Sequence, residues 1–158
     1  MSDRALLRPR WIVGAIVVAL AAFTPALSDT TFGVRTGVYT EQSAGFLGGE
    51  VVTSIASSSW YFNPNLEAAI VATDNNVVTV NGDFHYDFFQ DRPYWVWAGG
   101  GPAVIHRELP ATSGDTDFGV NFLGGIAWKT ASKVNPYLQA KVTVSNEDEA
   151  VLAFGLRF

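Results

Sequence analysis

The chain has 158 residues and no cysteine. Disulfides, thiolate nucleophiles, thiolate zinc sites and iron–sulfur clusters are therefore excluded. Beyond residue 28 no window shows a helical period, and no linker, low-complexity tract or second composition zone appears. Basic residues are scarce. The chain holds 10 Lys+Arg against 15 Asp+Glu; residues 1–28 take three arginines and one aspartate, leaving seven basic and fourteen acidic residues, net −7, in 29–158. No basic stripe exists to neutralise phosphates, so nucleic acid is not an expected partner. A long apolar run is also missing. "WIVGAIVVALAAF", Trp11 to Phe23, is short for a span of ~20 residues and is followed by Pro25. Arg4, Arg8 and Arg10 precede it, and small Ala26 and Ser28 follow it two apart. Residues 1–28 thus read as a secretory signal peptide, with residues 29–158 as the single mature domain. An exported chain of this size without disulfides must be held by its core or by closure of a sheet.

What the chain does have is repetition. Runs of roughly ten residues recur between turn signals: 31–40, 46–56, 65–73, 77–88, 94–105, 117–129, 136–144 and 150–158. Eight antiparallel strands joined as up-and-down hairpins can close into a barrel with no exposed edge. Their length is that of tilted strands crossing a bilayer, about 9–11 residues, and exceeds the usual mode of about 5–6.

Many runs alternate. In "VNGDFHYDFF" (80–89) Asn81, Asp83, His85 and Asp87 alternate with Val80, Phe84, Tyr86 and Phe88. Across the runs one polar set emerges: Arg35, Glu50, Glu67, Asp83, His85, Asp87, Asn121, Gln139, Lys141 and Arg157. Gly33, Gly37, Gly119, Gly125 and Gly155 punctuate it. Opposite lie Phe32, Val34, Val38, Leu138, Val142, Leu152, Phe154 and Leu156. Large and small polar residues together suit a narrow lumen, and the apolar set suits lipid. The aromatics agree: Trp60, Tyr61, Phe62, Phe88, Phe89, Tyr94, Trp95, Trp128 and Tyr137 fall at the turns that share a barrel end with both termini, as a girdle at one bilayer interface would. The expected fold is all-β, an eight-stranded antiparallel up-and-down transmembrane β-barrel with a filled lumen and no wide pore.

The terminal "VLAFGLRF", with alternating Phe154, Leu156 and Phe158, resembles the last-strand signal that the barrel assembly machinery reads in the small eight-stranded outer-membrane barrels of Gram-negative bacteria. "WYFNPNLE" and "GGGPAV" are similar to opacity-type sequences. The resemblance, to the transmembrane domain of outer membrane protein A and the opacity-protein-like surface proteins, covers essentially all of 29–158. It implies residence in the cell outer membrane, contact with its lipids and lipopolysaccharide, and a structural or surface-interaction role. It names no surface partner. Adhesive members carry long loops, whereas the connections at 41–45, 74–76 and 145–149 are short and only 106–116 has any length.

Lumenal charges must pair, because an unpaired buried charge is costly. Glu50, Glu67, Asp83 and Asp87 face Arg35, Lys141, Arg157 and His85, so an ion-pair network is expected ahead of catalysis. No cofactor or metal is expected: His85-x-Asp87 shares a strand face, but no second histidine is near in sequence. Two alternatives stand. One is a lipid-modifying enzyme using His106 at the outer rim, beside Glu108 and near Ser113, although no motif for such activity is visible. The other is a secreted soluble barrel binding an apolar ligand. Acidic loop residues, among them Glu41, Asp74, Asp115, Asp117 and Glu147 to Glu149, suit solubility, or divalent cations bridging to lipopolysaccharide phosphates.

Overall fold

A computed structural model describes residues 29–70, 76–108 and 114–158. The signal segment 1–28, Asp74 and Ser113 lie outside these residues, as does the side chain of Glu108. Eight strands follow in order: β1 (Thr30–Tyr39), β2 (Ala44–Ser54), β3 (Trp60–Ile70), β4 (Asn76–Phe88), β5 (Tyr94–Glu108), β6 (Asp115–Trp128), β7 (Asn135–Val144) and β8 (Glu149–Arg157). Each pairs antiparallel with the next, and β1 pairs with β8, so the sheet closes into an up-and-down barrel. Partners can be followed from Thr30 through Thr53, Phe62, Phe84, Gly100, Phe122, Val142 and Ala150. Ala150 O accepts from Thr40 N, ten residues beyond the start. That stagger tilts the strands and leaves a lumen that side chains fill.

The largest departures from the sequence reading fall at the start of β3 and at the β5–β6 connection. Trp60, Tyr61 and Phe62, placed in a connection, open β3, where they pair with Tyr86, His85 and Phe84. Pro64 made that stretch look like a turn. It is tolerated because it pairs with Gly82 on one side while the ladder to β2 skips it, so its missing N–H leaves no gap that another residue must fill. The connection placed at 106–116 shrinks, because β5 runs to Glu108 and β6 starts at Asp115, with His106 opposite Thr116 and Arg107 opposite Asp115.

The barrel is polar inside and apolar outside. Phe32, Val34, Leu47, Phe84, Val120, Phe122, Leu138, Val142, Leu152 and Phe154 are all exposed, while charged residues on alternate positions are buried. The outward apolar row is not equally long everywhere. It runs from Val78 to Phe88 on β4, from Tyr94 to Val104 on β5 and from Phe118 to Trp128 on β6. On β1 it runs only from Phe32 to Val38, and on β2 from Gly45 to Val51.

The lumen is layered. At the end holding both termini, Trp97, Leu123, Ala127 and Tyr137 cluster with Trp95 packed against them. At the other end Tyr39, Ala44, Phe46, Ala69, Val77, Ile105, Val151 and Ala153 form an apolar layer. The polar residues lie between. Glycines make room for the large rings: a Cβ on Gly125 would lie 2.2 Å from the Trp97 indole, and one on Gly155 would lie 2.2 Å from the Tyr137 ring.

Candidate functional site

The barrel interior gathers most of the side chains with chemical potential. Strand alternation turns Arg35 on β1, Glu50 on β2, Glu67 on β3, Lys141 on β7 and Arg157 on β8 inward, each 5% exposed or less. Closure brings them together. Glu67 binds Lys141 Nζ at 2.9 Å and Arg35 Nη2 at 3.1 Å, and accepts from the Tyr39 hydroxyl at 2.6 Å. Glu50 accepts from Arg157 Nε at 2.8 Å and from Asn63 Nδ2 at 2.8 Å, with Arg35 Nη1 at 3.8 Å. The Arg157 guanidinium also sits between two rings, 4.7 Å from the Trp97 centroid and 4.5 Å from that of Tyr137. Its charge is thus held by a carboxylate and by two π faces.

Among the described residues no cation is in direct contact with Asp83. Its two oxygens accept from Asn65 Nδ2 at 2.9 Å and Asn121 Nδ2 at 2.8 Å. A ladder of amides continues from there: Asn81 donates to Asn65, Asn121 donates to Asn81, and Thr143 donates to Asn121 Oδ1 at 2.7 Å. The ladder passes from β4 to β6 over Gly101 of β5, where a Cβ would lie 2.8 Å from the Asp83 Cα. Three cations (Arg35, Lys141, Arg157) share the middle of the lumen with Glu50, Glu67 and Asp83, and each of these six is held by an opposite charge or by amide donors, as burial in low dielectric demands.

His85 and Asp87 lie toward the terminal end. Their Nε2 and Oδ1 are 3.3 Å apart, and the imidazole stacks on Tyr61 with centroids 5.6 Å apart. Gln139 is buried on β7, with its Nε2 unpaired. Among the described residues no group of three or more His, Asp or Glu is arranged to hold a metal ion.

The aromatic set divides between two faces. Trp60 packs edge-on against Tyr86, Phe62 against Phe84 and Phe88 against Phe89, all on the outer side. Phe88, Phe89 and Trp128 are exposed, and Tyr94 is half-buried. Tyr137, placed in the girdle from sequence, is instead fully buried and closes the lumen. Tyr61 and Trp95 also turn inward, onto His85 and the Trp97 cluster. Tyr137 shares its strand face with Gln139 and Lys141, so its ring follows the alternation and not the turn beside it. On the last strand Phe154 and Phe158 face outward and Leu156 is partly covered.

Sequence reasoning missed Asn63, Asn65 and Trp97 as interior residues. All are 5% exposed or less. Asn63 and Asn65 stand four and two residues before Glu67, and Trp97 two before Gly99, and that parity carried the signal. At the opposite rim His106 Nδ1 lies 2.9 Å from Thr116 Oγ1 on the outer wall. Arg107 binds Asp117 at 2.7 Å and Glu147 at 3.4 Å, and Asn146 binds Asp117 at 2.6 Å, tying the β7–β8 turn to the rim. Glu149, read as a loop residue, begins β8 and accepts from the Glu41 backbone N–H at 2.8 Å.

No protein-family model matches the chain, and no curated protein sequence is significantly similar to it. Solved structures are similar in fold. The N-terminal β-barrel domain of Pseudomonas aeruginosa OprF superposes with a TM-score of 0.66 at 12% identity, over 82% of this chain and 95% of that one. Neisserial surface protein A gives a TM-score of 0.62 at 14% identity, over 81% and 92%. The outer membrane enzyme PagL gives 0.55 at 12% identity, over 81% and 98%. The chain has the closed eight-stranded antiparallel fold of outer-membrane barrels, with a buried salt-bridge network inside.

Proposed function

We propose that the chain is an integral outer-membrane β-barrel of the opacity-like kind, exported by residues 1–28, with a structural or surface-interacting role and a lumen sealed by ion pairs. One observation carries this reading: carboxylates and cations are buried in the lumen while Phe, Val and Leu cover the outside. In lipid that arrangement hides the lumenal charges and solvates the outward apolar side chains. The partners it implies are outer-membrane lipids and lipopolysaccharide, and the assembly machinery that would read Phe154, Leu156 and Phe158. A soluble barrel binding an apolar ligand would need its apolar set inside. Cells expressing the chain are fractionated, and the outer-membrane fraction is run on a detergent gel unboiled and boiled. A heat-dependent mobility shift in that fraction supports the reading; an unshifted protein in the soluble periplasm refutes it.

A second reading, a lipid-modifying enzyme, draws on the His106–Thr116 contact and on the likeness to PagL, which is an outer membrane enzyme. Among the described side chains no carboxylate orients His106, and a base needs such a partner to hold its tautomer. We therefore favour a non-catalytic role. Equal release of acyl chains from outer-membrane lipids by the His106→Ala variant and by the parent chain dismisses the enzyme; loss of a measurable activity in the variant restores it.

A further inference from the structure

We propose that His85 and Asp87 form a proton-sensitive latch at the end of the lumen that holds both termini. The latch is closed while His85 carries a proton. It releases when that proton leaves to water, and the lumen is then wetted from that side.

The first observation is a buried carboxylate with a single ionic partner. His85 Nε2 and Asp87 Oδ1 lie 3.3 Å apart, with side chains 1% and 9% exposed. Neither atom makes a hydrogen bond to another group. Among the described residues no Lys or Arg lies within ion-pair distance of Asp87, so its positive partner there is His85. The lumenal cations are committed elsewhere, Lys141 and Arg35 to Glu67 and Arg157 to Glu50. Asp83, two residues before His85 on the same face, is held by Asn65 and Asn121. A buried carboxylate without a cation is costly. An imidazole ordinarily changes its charge between about pH 5 and about pH 8.

The second observation couples that proton to closure of the lumen. His85 belongs to a row of rings that crosses the barrel. Tyr61 of β3 stacks on it at 5.6 Å with planes 12° apart, and Trp97 of β5 lies at 5.9 Å. Trp97 meets Tyr137 of β7 at 5.7 Å, and the Arg157 guanidinium of β8 rests on both. Gly99 faces His85 across the β4–β5 ladder; a Cβ there would lie 2.7 Å from the His85 Cβ, so the strand packs directly against the histidine. An imidazolium in this row is held by Asp87 and by aromatic faces on both sides. A neutral imidazole leaves the Asp87 charge unbalanced. Asp87 is the last inward residue of β4, so a rotamer change takes its carboxylate into water at the mouth. That movement breaks the 3.3 Å contact and removes what orients His85 against half-buried Tyr61. The other ionisable groups around the row are Tyr61, Tyr137 and Arg157, with Glu50 paired to Arg157 and Asp29 near Tyr61. Tyrosine and arginine side chains ordinarily keep one charge state across the histidine range.

The chain lacks cysteine, so single cysteines report access without background. Ser54 is buried at the same level, pairing with Tyr61, which pairs with His85. Ala131 is exposed in the β6–β7 turn at the same barrel end. The S54C and A131C variants are folded in detergent micelles, verified by the gel shift, and treated with a water-soluble cationic methanethiosulfonate at about pH 5.5 and about pH 8. The ratio of the S54C rate to the A131C rate removes most of the reagent's own pH dependence. The proposal expects that ratio to rise several-fold with pH. Adding His85→Gln should leave it high at both values, and adding Asp87→Asn should leave it low at both. A ratio that does not change with pH overturns the proposal, as does a rise that persists in either variant. A cysteine-free measurement guards against a variant that fails to fold. The temperature at which the compact gel band is lost should fall by several degrees from the lower to the higher pH in the parent chain, and by less with Asp87→Asn. An equal fall in both refutes the latch.

Discussion

The two sides of the lumen solve the same problem differently. On β1, β2, β3, β7 and β8, full charges meet: Glu67 holds Lys141 and Arg35, and Glu50 holds Arg157. On β4 and β6 the partners are mostly neutral amides, Asn81 and Asn121 around Asp83. The charged side joins strands distant in sequence and across the lumen, such as β3 to β7. The amide side runs as a ladder along the wall. The lesson concerns fragility. Removing one charge leaves its partners buried and unbalanced, whereas removing one amide leaves dipoles short of a single bond each.

That contrast can be broken at its strongest point first. Glu67→Ala strips Arg35 and Lys141 of their closest carboxylate, and is expected to cost about 3–5 kcal/mol. Guanidinium unfolding from lipid vesicles measures it; a loss below that of the amide variant described next would refute the contrast. Asn121→Ala removes two donated bonds and one accepted one. Its expected cost is roughly 2–3 kcal/mol, with the barrel still closed. The temperature at which the unboiled gel band is lost reads this. Replacing Glu67 and Lys141 together by Met removes one charge of each sign, and should cost less than Glu67→Ala, under about 2 kcal/mol. A double-mutant cycle with the Glu67→Met and Lys141→Met single variants tests this, and an additive cycle would argue against coupling. The smallest effect belongs to the rim. Arg107→Gln breaks pairs with Asp117 and with Glu147, whose side chain is 72% exposed, and should cost no more than about 1 kcal/mol. Raising the salt concentration should weaken the parent chain toward the variant, since solvent screens this pair; a salt-independent difference would contradict that.

The comparison also bears on what was legible beforehand. Arg35, Glu50, Glu67, Lys141 and Arg157 stand out as charges within apolar runs, so each could be read from its own strand. Asn81, Asn121 and Gln139 could be read the same way, but the amides of β3 could not. Asn63 and Asn65 flank Pro64, and that proline disguised the start of β3. Trp97 lay in a run of Gly and Trp with no alternation to orient it. Tyr137 sits near a turn, which suggested an interface anchor, yet its ring fills the space that Gly155 leaves on the neighbouring strand. Turn proximity and strand parity pointed in opposite directions for this residue, and parity prevailed because the pleat fixes where a Cβ points.

Recurrent runs between turn signals, read from sequence alone, determined that eight strands exist, and alternation gave most of them one polar and one apolar face, the Gly- and Trp-rich fifth excepted. It also set the stock of charges that must balance. Which polar side chains touch was decided only by closure. The ten-residue stagger carries Glu67 of β3 within reach of Lys141 of β7 and Arg35 of β1, and places Arg157 between Trp97 and Tyr137. A period of two residues specifies a face, but contact across a lumen depends on tilt and register, which belong to the whole sheet and to no single strand.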